Sequence, residues 1–129
     1  IISMGGAYSS HILALAYLCK EYSIPCVLLV RGEKTSPLND ILSKCKSYNA
    51  VIKYFNRDHY RDNNLVKSFI LEHELNLHFV LETHAHADHL SASQLFKEDF
   101  KDVKIAISHG ITRVQQVFKN VFDLQTLDG

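Results

Sequence analysis

The stretch ETHAHADHLSAS, residues 82–93, sets His84, His86, Asp88 and His89 close together at the end of an apolar run, LHFVLET, residues 77–83. An apolar run of this length reads as a buried strand, and on extended backbone side chains two apart point the same way. His84 and His86 can therefore face one point, and Asp88 and His89 arrive just before a helix expected to begin near Ser91. Imidazole nitrogens beside a carboxylate oxygen suit Zn(II), Fe(II) or Mn(II), and two neighbouring groups of ligands could hold two ions. Ala85 and Ala87 leave room for that crowding. Loops at the carboxyl ends of parallel strands are where α/β proteins build their sites, so the spacing H-x-H-x-D-H points to a metal centre. A lone histidine carries no such implication, and His11, His59, His73, His78 and His109 are read as ordinary surface or loop residues.

Outward from this segment the chain alternates. IISM, IPCVLLV, AVIKYF, LHFVLET and VKIAIS read as five strands, rich in Ile and Val and mostly apolar on both faces. HILALAYLCKEY, PLNDILSKCKSY, LVKSFILEHEL, SASQLFKEDF and ITRVQQVFKNVF carry apolar residues three and four apart and read as helices. This alternation predicts an α/β fold in a layered arrangement, with a largely parallel sheet of about five strands. Gly5 and Gly6 end the first strand, Ser9 or Ser10 is placed to cap the next helix, and Ser36-Pro37 has the order of a helix start. The most polar stretch, NRDHYRDNN at residues 56–64, is either a seam or a solvated loop leading into a helix.

Composition narrows the function classes. In 129 residues, 14 basic and 14 acidic side chains cancel and are scattered, which predicts neither a nucleic-acid nor a membrane partner. No apolar run approaches a membrane span. Cys19, Cys26 and Cys45 form no C-x-x-C pair, which disfavours a disulfide framework and suits a reducing cytoplasm. Cys19 and Cys26 lie in apolar runs, where a free cysteine acts as a small buried hydrophobe.

Residues 63–129 resemble the metallo-β-lactamase superfamily, and within it the persulfide dioxygenase and glyoxalase II branch; ETHAHADHL followed by small residues looks most like persulfide dioxygenases. The likeness runs from LVKSFILEHELNLHFVLETHAHADHLSASQLFKE through KIAISHGITRVQQVFKNVF to the terminal DG. It implies a fragment of the αββα fold, with His84 and His86 at the first metal position and Asp88 and His89 at the second. The metal would be Zn(II) or Fe(II), the substrate a small-molecule persulfide or thiol, or a thioester, and the reaction oxidation of glutathione persulfide or thioester hydrolysis. The family takes a further histidine from a later G-H-T segment and a bridging aspartate beyond it. Neither occurs before Gly129, so weak metal binding and no turnover by this chain alone are expected.

Residues 1–62 carry a different resemblance. IISMGGAYSSHILALAYLCKEYSIPCVLLVRGE and PLNDILSKCKSYNAVIKYFNRDHYRD are similar to pyridoxal-phosphate enzymes of the 1-aminocyclopropane-1-carboxylate deaminase and D-cysteine desulfhydrase family. In GGAYSSH, Ser9 falls where a serine of that family contacts substrate, Ser10 replaces the asparagine that meets the cofactor ring, and His11 follows it. Without the family, the same turn could meet an anion or cap a helix. No lysine occupies the Schiff-base position, so a pyridoxal phosphate adduct is not expected. The two resemblances imply a join of two fragments near Asp62 and Asn63. A non-catalytic α/β module is the remaining reading.

Overall fold

The computed structural model describes residues 1–62, 64–83 and 93–122, and divides the chain into two compact units, Ile1–Val66 and Lys67–Gly129. In the first unit, strands β1 (Ile2–Gly6), β2 (Val27–Arg31) and β3 (Val51–Phe55) alternate with helices α1 (Ser10–Glu21) and α2 (Asp40–Ser47); the short α3 (Arg57–Tyr60) follows. Helix α4 (Leu65–Glu72) then leads into the second unit, which holds β4 (Phe79–Glu82), α5 (Ser93–Asp99), β5 (Lys104–Ile107) and α6 (Ile111–Phe122). All five expected strands are present, and every pairing among them is parallel.

The expectation of one sheet of about five strands is corrected. Among the described residues the strands form a three-stranded sheet in the order β1-β2-β3 and a separate two-stranded sheet, β4-β5. Apolar periodicity identifies a strand from its own side chains, whereas the neighbour it pairs with is chosen by backbone groups far along the chain.

In the first unit, α1 and α2 share one core with a single sheet face. Ile12, Ala16 and Cys19 of α1 and Leu42 and Cys45 of α2 cluster with Leu28 and Val30 of β2, and Ile52 and Tyr54 of β3 pack against them. Leu29, between two inward residues of β2, is also fully buried, so the central strand is covered on both faces. The strand-to-helix turn needs glycine for a specific reason. A Cβ on Gly5 would lie 2.5 Å from Ile12 Cγ2 and 3.2 Å from Ser9 Cβ, so α1 sits on β1 only because nothing projects there.

The three thiols belong to this core: Cys19 and Cys26 are free and buried, as the sequence suggests, and so is Cys45. Burial, reinforced by the neighbouring Cys19, pushes the Cys26 thiol up to about 12, and burial also raises Cys45. Both are held as neutral thiols at physiological pH.

Helix ends follow local rules that the sequence only partly discloses. Helix α2 starts at Asp40, not at Pro37, because the Asn39 side chain accepts from Leu42 N at 2.9 Å. The expected serine cap of α1 is also corrected: Ser9 occupies the cap position, but its side chain makes no capping bond. Three helices close without glycine. Ser23, Asn49 and Glu74 take φ of 54°, 63° and 50°, and the next N–H reaches back to Cys19, Cys45 and Ile70 carbonyls at 2.8, 3.1 and 2.9 Å. These are Schellman closures, with a side chain where the left-handed backbone favours none.

Adding and removing a Cβ should thus have opposite signs. Gly5→Ala is expected to lower stability by about 1–3 kcal/mol in urea denaturation, with Ile12→Ala in the same chain relieving part of the clash, so the pair should be less than additive. Ser23 is exposed, and Ser23→Gly should raise stability by about 0.5–1 kcal/mol. All three cysteines should resist a thiol reagent in the native chain at pH 8 and react once urea unfolds it; rapid native modification would contradict their burial. Because the folded thiol of Cys26 titrates above its ordinary value of 9.0, its contribution to stability is complete below about pH 9 and is lost as pH rises toward 12.

Candidate metal centre

The four proposed ligands, His84, His86, Asp88 and His89, lie outside the described residues; the structure describes what carries them. Strand β4 pairs with β5 in the register Phe79↔Lys104 to Glu82↔Ile107, and Lys104 N extends the ladder to His78 O at 3.0 Å. Thr83 follows the strand, and the chain is described again at the buried Ser93, the first residue of α5. Helix α5 packs against both strands, and at its far end Asp99 pairs with Lys67 of α4 at 2.6 Å. Both charges are partly exposed, so this pair adds at most about 1 kcal/mol. The H-x-H-x-D-H segment therefore joins the carboxyl end of a parallel strand to the following helix.

The neighbouring strand opens at the same edge. Beyond Ile107, the turn Ser108-His109-Gly110 leads into α6, closed by Ile111 N to Ser108 O at 2.9 Å and by Thr112 Oγ1 to His109 O at 2.9 Å. His109 is exposed on this turn. The remaining histidines are occupied locally or at the surface. His11 Nε2 lies 2.9 Å from Ser3 Oγ; His73 stacks on Phe69, with Nδ1 3.0 Å from the Phe69 carbonyl; and His59 is exposed, its backbone N–H donating to Asn56 Oδ1 at the cap of α3. Among the described residues no group of three or more His, Cys, Asp or Glu side chains could hold a metal ion.

Of the amino-terminal candidates, Ser10 is the first residue of α1, and His11 is exposed and engaged by Ser3. Ser9 borders a cavity of about 410 Å3 whose other walls include Arg31 and Arg57. Sequence reading passed over both arginines, since nothing local distinguishes them from solvated cations; only strand pairing brings residues 9, 31 and 57 together.

The chain is similar to two known proteins. It is 32% identical over 91 residues to "Glyoxylase B2" of Dictyostelium discoideum, a match covering 68% of this chain and 31% of that protein. It is 38% identical over 53 residues to "Beta-lactamase hydrolase-like protein" of Xylella fastidiosa, covering 41% of this chain and 12% of the relative. The chain thus spans about a third of the first relative's length and about an eighth of the second's. No family profile matches the chain, and no solved structure does. Both relatives support the resemblance to the metallo-β-lactamase superfamily; neither supports the pyridoxal-phosphate resemblance of residues 1–62 or a join of two fragments. Residues 63–129 are about half of the chain, so a match to 68% of it also takes in residues before the expected join. Among the described residues no helix is long and apolar enough to cross a membrane.

Proposed function

We propose that His84, His86, Asp88 and His89 bind Zn(II) or Fe(II), and that the chain supplies the metal-binding part of a metallo-β-lactamase-like hydrolase. The observation that carries this reading is the H-x-H-x-D-H segment continuing from the carboxyl end of a parallel strand into a helix. Three imidazoles and one carboxylate match the borderline character of both metals, so the donor set fits the group. Such an ion supplies Lewis acidity toward a carbonyl and acidifies bound water. The residues between the donors, Ala85 and Ala87, are small.

One substrate reading, hydrolysis of a glutathione thioester, rests on the resemblance of residues 63–129 to the glyoxalase II branch, and the name of the relative "Glyoxylase B2" is in keeping with it. The second reading, oxidation of glutathione persulfide at iron, rests on the small residues Ser91, Ala92 and Ser93 after ETHAHADHL.

Purified chain titrated with Zn(II) should bind more weakly than a closed structural zinc site, whose binding is worth about 10–16 kcal/mol. Replacing His84 and Asp88 together with alanine should weaken uptake at least tenfold; unchanged uptake by that variant would sink the assignment. Neither thioester hydrolysis by zinc-loaded chain nor oxygen consumption with persulfide by iron-loaded chain is expected above a metal-only blank; a rate on one substrate that disappears in His84→Ala would overturn that expectation and identify the substrate.

A further inference from the structure

We infer that the amino-terminal unit carries a second ligand site, independent of the histidine segment, which binds a phosphate or phosphate-ester oxyanion between Arg31, Arg57 and the Gly6–Ser9 loop. The cavity of about 410 Å3 is lined by Gly6, Ala7, Tyr8, Ser9, Arg31, Gly32 and Arg57. Its walls come from the carboxyl ends of all three parallel strands: the loop after β1, the end of β2, and the first residue of α3 after β3.

Charge names the ligand class. Two arginines are among the residues lining the cavity and no acidic residue is. Among the described residues neither arginine has an ion-pair partner; Arg31 lies over the Tyr60 ring at 5.8 Å, and Arg57 contributes only backbone bonds. Both arginines are exposed and border one concave space, where a tetrahedral oxyanion offers enough acceptors for both forks. The rest of the wall is largely apolar, and its polar groups belong to the Gly6–Ser9 loop and the start of α1. The Ser9 hydroxyl makes no cap bond, the first turn of the twelve-residue α1 holds no acidic side chain, and its leading N–H groups have no acceptor within the helix.

The walls are also held in place before any ligand arrives. Asn39, while capping α2, donates from Nδ2 to Ala7 O at 3.0 Å, and Ser9 N donates to Gly6 O at 3.0 Å. Gly32, at φ 126°, donates to Phe55 O at 2.8 Å, and Asn56 caps the turn that presents Arg57. A preformed loop spends little affinity on ordering, which favours a small anion over a large flexible one.

The test uses the full chain in EDTA, at constant ionic strength made up with chloride, while inorganic phosphate is titrated and the amide resonances of Gly6, Ser9 and Ser10 are followed. Saturable shifts confined to these residues are expected. In Arg31→Gln/Arg57→Gln the midpoint should rise roughly tenfold or more, in line with the strength of charge-assisted bonds, while Lys34→Gln at an exposed site leaves it unchanged. Acetate in place of phosphate should give weaker shifts. Shifts that never saturate, that match those in chloride, or that persist in the double variant overturn the site. Because EDTA strips any ion from the histidine segment, loss of metal binding there leaves this result untouched, and a phosphate effect that needs metal counts against it.

Discussion

Parallel pairing is the constraint on which the rest of the molecule depends. A strand that runs beside its predecessor in the same direction can be reached only by a crossover, and every such strand releases its chain at the same edge of the sheet. In the first unit that edge collects Gly6–Ser9, Arg31–Gly32 and Asn56–Arg57. In the second, Glu82 and Ile107 lie in register, so the histidine segment and the Ser108–Gly110 turn leave neighbouring strands at one end. The position of chemistry in each unit follows from strand direction before any side chain is considered.

The two edges differ in what they offer. One presents guanidinium groups, a hydroxyl and a helix start, which are hard donors suited to oxyanions. The other receives a segment of imidazoles and a carboxylate, which are lone-pair donors suited to a borderline cation. The thiols, the remaining soft ligands of the chain, are withdrawn from both. Burial holds Cys26 and Cys45 neutral inside the core of the first unit, where they pack against α1, α2 and β2.

Packing in the first unit tolerates little change at one point. Gly5 lets α1 approach β1 closely enough for Ile12 to become fully buried, and the same approach brings Ser9 to the mouth of the turn. The Asn39 side chain then links that turn to α2, so the start of one helix is steadied by the cap of the next. Core, loop and cavity are parts of one arrangement.

Much of this was legible in the residues alone. Strand and helix periods are local properties, and runs such as IPCVLLV and VKIAIS announce β2 and β5 within three residues of their ends. The histidine segment is equally local, since its spacing and its place after LHFVLET need no partner to be noticed. The buried character of Cys19 and Cys26 follows from their apolar surroundings, whereas Cys45, between two lysines in SKCKS, is buried by the packing of α2. What tertiary structure alone decided was non-local. Backbone groups of β3 and β4 are as able to pair as any others, and nothing in AVIKYF or LHFVLET says that they belong to different sheets. The start of α2 passed from Pro37 to Asp40 because an asparagine two residues past the proline supplied an acceptor in the right place. Arg31 and Arg57 look like any exposed cations until β2 and β3 lie side by side and set them around one space, because a cavity is a property of chain segments brought together and not of any one of them.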